Sequence, residues 1–390
     1  MKSIKQQYGF PFFVKPRSTN YLLKSEKTRV SDFWALWHYL IKTEKKKFPG
    51  TTDYPFLVSV LEQAQYFFDT ATSAPIKSKP LLFYYSFLNL AKATIVLDNS
   101  TWLHNNKEFN HGIDSCPISS QTQLKDCFVS IKNLIPPEGH PQQKISVAYE
   151  LAQILGDNIK HTLHQTTSSH DNGPWKINVI SLLKSCVGIH RTVCETFKIQ
   201  ESFVHIEEPD LKKEGETLFY GGIINTTFQM RNLLSIAGYH IDSQKALYTM
   251  LESQNFSSGN LSRMQFLSFS DYLKSKGIWT YSTGNDFKIY INPNRLVKDP
   301  NNNIYNLHPF NCSTTVNQPI ILSSAMIIYY LMFFLGSITR YHPYLFEKVL
   351  SDKEIWMVSE FLRTQPFQFL VLLTSHVLGK PIFSPCMPFV

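Results

Sequence analysis

The sequence predicts a mainly α-helical protein whose helical bundle core carries an α+β insertion with a β-hairpin. Three observations indicate this fold class. Long apolar segments with helical periodicity lie towards both ends of the chain, residues 99–144 are polar and rich in Pro, Asn and Gly, and one later stretch alternates as a strand does. A chain of 390 residues exceeds the size at which one hydrophobic core usually keeps growing, so two domains, or one with a large insertion, are expected.

The first part of the predicted core comprises residues 31–97. The basic stretch before it, residues 1–30, contains two prolines that break any periodicity, so we expect an extended N-terminal arm and no signal peptide. Capping residues then open three predicted helices. These helices span about 31–47, 55–72 and 79–97.

Residues 98–318 are predicted to form an α+β insertion or a second domain. A short strand is expected at 128–131, helices at about 144–165 and 175–197, and further short strands at 202–206 and 217–220. In the segment 278–292, apolar residues alternate after the turn-forming residues STGND, which predicts a β-hairpin.

Two long helices, at about 319–341 and 352–378, are predicted to close the chain within a C-terminal core part that spans 319–390. The segment 319–339 carries no charged residue, and about 20 such residues could also cross a bilayer. A buried central helix is equally apolar, and no second segment is comparably pure. We therefore expect a cytoplasmic protein rather than a membrane protein.

The composition indicates which partners the protein could have. Its formal net charge of +8 favours an anionic partner such as nucleic acid or a nucleotide. The 29 Phe and 19 Tyr residues must mostly be inside or at an interface, which leaves a protein partner or a homo-oligomer open.

Six scattered cysteines without a C-x-x-C motif predict reduced thiols rather than disulfides. No cofactor is expected.

Polar side chains on two of the apolar helices are the main candidates for a site. Tyr85, Asn89 and Lys92 fall at i, i+4 and i+7, within about 60° of one another on a helix whose other faces are almost wholly apolar. A second stripe is predicted on the helix that begins near residue 319. It consists of Ser323, Tyr330, Ser337 and Tyr341, with Arg340 beside it.

Two interpretations of these stripes stay open. Burying Lys92 or Arg340 is costly unless the cation meets a carboxylate, a set of carbonyls or an anionic ligand. In the first interpretation the residues are structural: they form a buried hydrogen-bond network that fixes helix register, or a solvent face. In the second they form an anion or nucleotide pocket with His111. The nearest candidate carboxylates on neighbouring helices are Glu62, Asp69 and Asp98.

Three short segments carry a resemblance to a known family. The strings PLLFYYSFLNLAKA at 80–93, NHGI at 110–113 and GSITRYHP at 336–343 resemble hallmark segments of the YaaC-like family of bacterial proteins, in the same order. That family has no established reaction, so the resemblance implies a soluble bacterial protein without a particular chemistry. The positions that it singles out are Tyr85, Asn89, Lys92, His111, Gly112, Arg340 and Tyr341.

Catalytic spacings give weaker signals. Helical ribonucleases of the HEPN type place a His four to six residues after an Arg, and no pair here fits that spacing. A divergent ribonuclease, or a phosphate-ester hydrolase that uses the neighbourhood of Lys92, His111 and Arg340, stays an alternative. P-loop, dinucleotide-binding, serine hydrolase and zincin motifs do not occur in the sequence.

One cluster has the residue types of a metal site. Asp157, His161 and His164 lie at i, i+4 and i+7 of a predicted helix, followed by His170 and Asp171. A solvated helix end explains the same pattern more simply, so no metal site is predicted.

We predict a binding or assembly protein with a basic surface, possible roles being bacterial stress or phage defence.

Overall fold

The structure is a computed structural model, and the chain in it folds into two units. One unit, here called the helical unit, consists of Asp32–Ile199, Phe310–Leu378 and Val390, and the other, the sheet unit, consists of Met1–Ser31, Gln200–Pro309 and Gly379–Phe389. The structure describes residues 2–4, 28–44, 53–98, 108–115, 123–131, 144–155, 175–186, 188–199, 204–214, 217–224, 240–241, 246–251, 278–283, 286–291, 323–378 and 382–383.

Within the described residues, the helical unit contains nine α-helices. Asp32 begins the first of them, because its Oδ1 accepts a hydrogen bond from the backbone N–H of Ala35 at 2.9 Å. The helices are α1 (Phe33–Glu44), α2 (Asp53–Ser73), α3 (Lys79–Asp98), α4 (Val147–Ile154), α5 (Val179–Ser185), α6 (His190–Phe197), α7 (Ser324–Tyr341), α8 (Pro343–Ser351) and α9 (Glu354–Leu378).

Helix α3 lies at the centre of the unit and packs against α2, α4, α7 and α9. Its Phe87 stacks on Phe369 of α9, with ring centroids 4.0 Å apart, and its Tyr84 meets Phe333 of α7 edge to face. Helix α7 is buried on every face, since its residues from Ser324 to Ile338 are all buried. Gly336 allows α7 to approach α3 closely, since a Cβ there would lie 3.1 Å from the Cβ of Tyr84.

Short strands complete the helical unit. Phe128–Ile131 pairs antiparallel with both Ile113–Ser115 and Trp175–Asn178, and Glu108–Asn110 pairs parallel with Lys144–Ser146. These strands bring the segment from 108 to 115 against the helices, because Ile113–Ser115 also contacts α7.

The sheet unit contains a seven-stranded sheet. Its path runs through His240–Ile241, Ala246–Leu251, Thr217–Ile224, Val204–Glu214, Asp286–Ile291 and Ile278–Thr283, with every neighbouring pair antiparallel. Lys2–Ile4 pairs with Val204–Glu214 as the remaining strand. A separate short parallel pair joins Thr28–Arg29 to Ile382–Phe383.

The predicted fold class is confirmed: the protein is mainly α, with a helical bundle core and an α+β insertion. The predicted hairpin is present, because Ile278–Thr283 and Asp286–Ile291 pair antiparallel and Thr283 faces Asp286 across the turn. The three N-terminal helices also lie close to their predicted bounds.

Two predicted helices in the middle of the chain were wrong in extent. The segment from 144 begins with the strand Lys144–Ser146, and α4 ends at Ile154; residues 156–165 lie outside the described residues. The segment from 175 begins with the strand Trp175–Asn178, followed by two short helices rather than one. In both places a strand pairs first and a polar residue, Ser146 or Asn178, then caps the helix.

Among the described residues, one helix is long and apolar enough to cross a membrane by length and composition. It is α3, and 72% of its 18-residue apolar window is buried within the fold. The segment that the sequence had indicated, 319–339, falls mostly on the buried helix α7. Such burial is also a property of core helices, and the cytoplasmic location stays a prediction.

Candidate functional site

Arg340, at the end of α7, meets α3 through a hydroxyl group. Its guanidinium Nη1 donates a hydrogen bond to Oη of Tyr85 at 2.9 Å, and the guanidinium carbon lies 4.9 Å from the ring centroid of Tyr341. Arg340 and Tyr341 are exposed, whereas Tyr85 is half-buried. The structure therefore brings together three of the predicted site residues.

Lys92 and Asn89 form a second contact further along α3. The Lys92 ammonium donates a hydrogen bond to Oδ1 of Asn89 at 3.3 Å, and it lies 5.9 Å from the ring centroid of Phe109. The Asn89 amide then donates to Oε1 of Gln63 on α2, also at 3.3 Å. Asn89 is buried and Lys92 is half-buried.

Helix α2 links these two contacts into one line. Gln63, which meets Asn89, and Phe67, whose ring centroid is 5.4 Å from that of Tyr85, are one helical turn apart. We call Arg340, Tyr85, Asn89 and Lys92 the polar row. Gln63, Phe67 and Phe109 were not predicted, although Phe109 directly precedes the segment NHGI at 110–113 that carries the family resemblance.

Within the described residues, Lys92 forms no ion pair. The candidate carboxylates Glu62, Asp69 and Asp98 do not pair with it, and its hydrogen-bond partner is the neutral amide of Asn89. Burial lowers the pKa of Lys92 from its ordinary value of 10.5, because the charged ammonium loses hydration. The row thus contains a half-buried cation whose charge no carboxylate in the described part of the chain balances.

A buried hydroxyl lies beside the Arg340 end of the row. Tyr84 is 8% exposed, and in the described structure its hydroxyl has no hydrogen-bond partner. Burial raises the pKa of Tyr84, and the proximity of the Tyr85 and Tyr341 phenols raises it further. Tyr84 therefore stays protonated and can donate a hydrogen bond.

His111 lies just after the strand Glu108–Asn110, which carries Phe109. Its exposed ring is 5.7 Å from the ring of Phe333 on α7, and its Nδ1 accepts a hydrogen bond from the backbone N–H of Ile113 at 3.4 Å. Gly112 follows with a φ of +72°, which a residue with a side chain adopts only at a cost.

The second predicted stripe is mostly part of the core. Ser323, Tyr330 and Ser337 are buried along α7, and Ser323 caps the helix by accepting a hydrogen bond from the backbone N–H of Met326 at 3.3 Å. Tyr341, at the helix end, is 62% exposed. The stripe therefore reaches the polar row through its last turn.

The other predicted clusters add no metal site in the part of the chain that the structure describes. No group of three or more His, Cys, Asp or Glu residues there is arranged to hold a metal ion. The cluster of Asp157, His161, His164, His170 and Asp171 lies outside the described residues.

Comparisons with known proteins place the chain in a family. No curated protein and no solved structure matches it. A family model described as YaaC-like protein matches residues 21–377, which include all three segments that carry the resemblance. The match covers most of the chain, and the protein therefore belongs to the YaaC-like family.

Proposed function

We propose that this YaaC-like protein is a binding protein for a phosphate-bearing anion, with Lys92 and Arg340 as the groups that contact phosphate. The half-buried ammonium of Lys92 carries the proposal, because it has an amide partner and no carboxylate among the described residues. An uncompensated cation in such surroundings is unfavourable until an anion approaches.

The arrangement of the row supports the same function. A guanidinium can bind phosphate oxygens through two parallel hydrogen bonds, and Tyr85 holds that of Arg340 from one side. Asn89 orients Lys92, and Gln63 in turn holds Asn89. The net charge of +8 would also attract anions over a distance. A role in bacterial stress or phage defence stays a prediction.

Binding of fluorescein-labelled polyphosphate, followed by fluorescence anisotropy between about 50 and 200 mM salt, tests the proposal. We expect Lys92→Met and Arg340→Gln each to weaken binding by about 10-fold to 100-fold, because hydrogen bonds to charged groups contribute roughly 1.5–3 kcal/mol. Lys42→Met is the matched control, since it removes one positive charge from an exposed site on α1.

The control separates a specific site from general charge attraction. If Lys42→Met weakens polyphosphate binding as much as Lys92→Met does, the row has no special role. If the wild-type protein does not bind, or binds without any salt dependence, the proposed function is wrong.

A phosphate-ester hydrolase is the second candidate. His111 favours it, because its exposed ring follows two residues after Phe109, which contacts Lys92, and a protonated imidazole at this position could serve as the general acid for a leaving group. Incubation with a labelled RNA oligonucleotide tests this function. Cleavage that His111→Ala abolishes would establish hydrolysis, and intact RNA would leave binding as the function.

A further inference from the structure

We infer that the ligand of the polar row is single-stranded nucleic acid, whose bases stack on exposed tyrosine rings while its phosphates meet Arg340 and Lys92. This inference rests on the proposed function and adds the class of ligand. Proteins that bind single strands combine cations that follow the backbone with aromatic rings on which successive bases stack.

Aromatic rings and a cation follow one another without interruption along this surface. The ring centroids of Tyr66 and Phe67 are 5.8 Å apart, and those of Phe67 and Tyr85 are 5.4 Å apart. Tyr85 accepts the hydrogen bond of Arg340, and Arg340 lies on the ring of Tyr341. Both terminal rings are open to ligand, because Tyr66 is 67% exposed and Tyr341 is 62% exposed.

The placement of charge fits a strand with regularly spaced phosphates. Tyr85, the partner of Arg340, and Lys92 are seven residues apart, which corresponds to about 10 Å along α3. An aromatic ring lies beside each cation, since Phe67 packs on the Tyr85 partner of Arg340 and Phe109 lies 5.9 Å from Lys92. A small anion would engage one cation and leave the rings unused.

The choice of a single strand over a duplex follows from the availability of base faces. In a duplex the bases are stacked on one another, so exposed rings on the protein surface gain nothing from them. Stacking on an aromatic side chain contributes to affinity only where the base is unpaired. The protein should therefore distinguish the two forms of the same sequence.

Fluorescence anisotropy with labelled oligothymidylate and oligouridylate of about 20 nucleotides, and with a duplex of the same length, tests the inference. We expect at least one single strand to bind about 10-fold more tightly than the duplex. Tyr341→Leu should weaken that binding about 10-fold without changing its salt dependence, since it removes stacking but no charge. Arg340→Gln should lower the slope of log affinity against log salt by about 0.7.

Tyr39→Leu is the matched control, because Tyr39 on α1 is also 62% exposed but is not part of the row. Its affinity should stay within about two-fold of wild type, since lone surface substitutions rarely matter. Equal binding of single strand and duplex, or equal losses in Tyr39→Leu and Tyr341→Leu, would overturn the inference. Polyphosphate binding that depends on Lys92 and Arg340 would then still support the proposed function, whereas failure of every probe would remove both.

Discussion

Polar groups on α9 and polar groups in the row differ in how the protein satisfies them. On α9, the hydroxyl of Thr374 accepts a hydrogen bond from Trp37 Nε1 at 2.8 Å and donates one to a backbone carbonyl, and Gln365 accepts one from the thiol of Cys186. In the row, the partner of Lys92 among the described residues is one neutral amide. The first arrangement fixes how helices pack, whereas under the proposed function the second leaves a charge for a ligand.

This difference shows that polar residues on apolar helices can have either of two roles, helix packing or ligand binding. Thr374 and Gln365 are completely buried, and each has a partner elsewhere in the helical unit, Trp37 on α1 and Cys186 just after α5. Lys92 is half-buried and has no opposite charge among the described residues. Substitutions on α9 should therefore mainly change stability, whereas substitutions of Lys92 should mainly change ligand binding.

The largest expected loss of stability comes from a substitution at Gly112, between the strand Glu108–Asn110, which carries Phe109, and the strand Ile113–Ser115. Gly112→Ala would force a side chain into a φ of +72° and place its Cβ 1.9 Å from the Oγ of Ser146, which caps α4. The left-handed conformation costs about 1–2 kcal/mol and loss of the cap about 1 kcal/mol, so we expect a loss of roughly 2–3 kcal/mol in the free energy of unfolding. Urea denaturation followed by circular dichroism measures it.

Ser146→Ala separates the two contributions, because it removes the cap while Gly112 keeps its conformation. It should lose only about 1 kcal/mol. If Gly112→Ala were no less stable than Ser146→Ala, the strained conformation would not contribute.

A smaller loss of stability is expected on α9, where the polar groups have partners within the protein. Thr374→Val keeps the shape of the side chain but leaves the indole N–H of Trp37 buried without its acceptor. We expect a loss of about 1–3 kcal/mol in stability and no change in polyphosphate affinity. Thr374→Ser keeps the hydroxyl and should be closer to wild type; a binding defect in Thr374→Val would contradict the separation of the two regions.

The smallest effect has the opposite sign. Lys92→Met removes a charge that burial disfavours, so the free energy of unfolding should rise by a few tenths to about 1 kcal/mol, reduced by the partial exposure of the side chain. Thermal unfolding without ligand measures the gain, and Lys42→Met should not reproduce it. A marked loss of stability in Lys92→Met would show that Lys92 belongs to a structural network instead.

The pH dependence of stability in Lys92→Met and wild type gives a second test of whether Lys92 destabilises the fold. The folded-state pKa of Lys92 is lowered from 10.5, so between the lowered value and 10.5 the unfolded chain binds more protons than the folded one. The destabilisation caused by burying the charged Lys92 ammonium is therefore fully present below that window. It decreases as pH rises through the window. The stability difference between Lys92→Met and wild type should shrink across the window.

Much of the fold could be predicted because helical periodicity is a local property. Helices α1, α2 and α3 follow from their caps and apolar spacing, and the hairpin follows from its turn residues. The strand Trp175–Asn178 was missed because its pairing with Phe128–Ile131 joins segments that are far apart in the sequence. Such long-range pairing leaves no periodic signal of its own.

The site could be predicted only in part. Spacing on one helix predicted that Tyr85, Asn89 and Lys92 would line up, but no local pattern showed that α2 would supply Gln63 and Phe67. Nor could it show whether a carboxylate from another helix would reach Lys92. Whether a carboxylate reaches Lys92 depends on tertiary packing. The answer decides between a structural hydrogen-bond network and an anion-binding site.

The hydrogen bond between Tyr85 and Arg340 spans 255 positions of the chain. During synthesis, the segment with Lys92 leaves the ribosome long before Arg340 and Tyr341 are made, so a growing chain cannot display the complete row. A ligand that needs both ends would then distinguish finished molecules from nascent ones. It would also hold the early and late parts of the helical unit together, and so protect the mature protein from unfolding in proportion to ligand concentration.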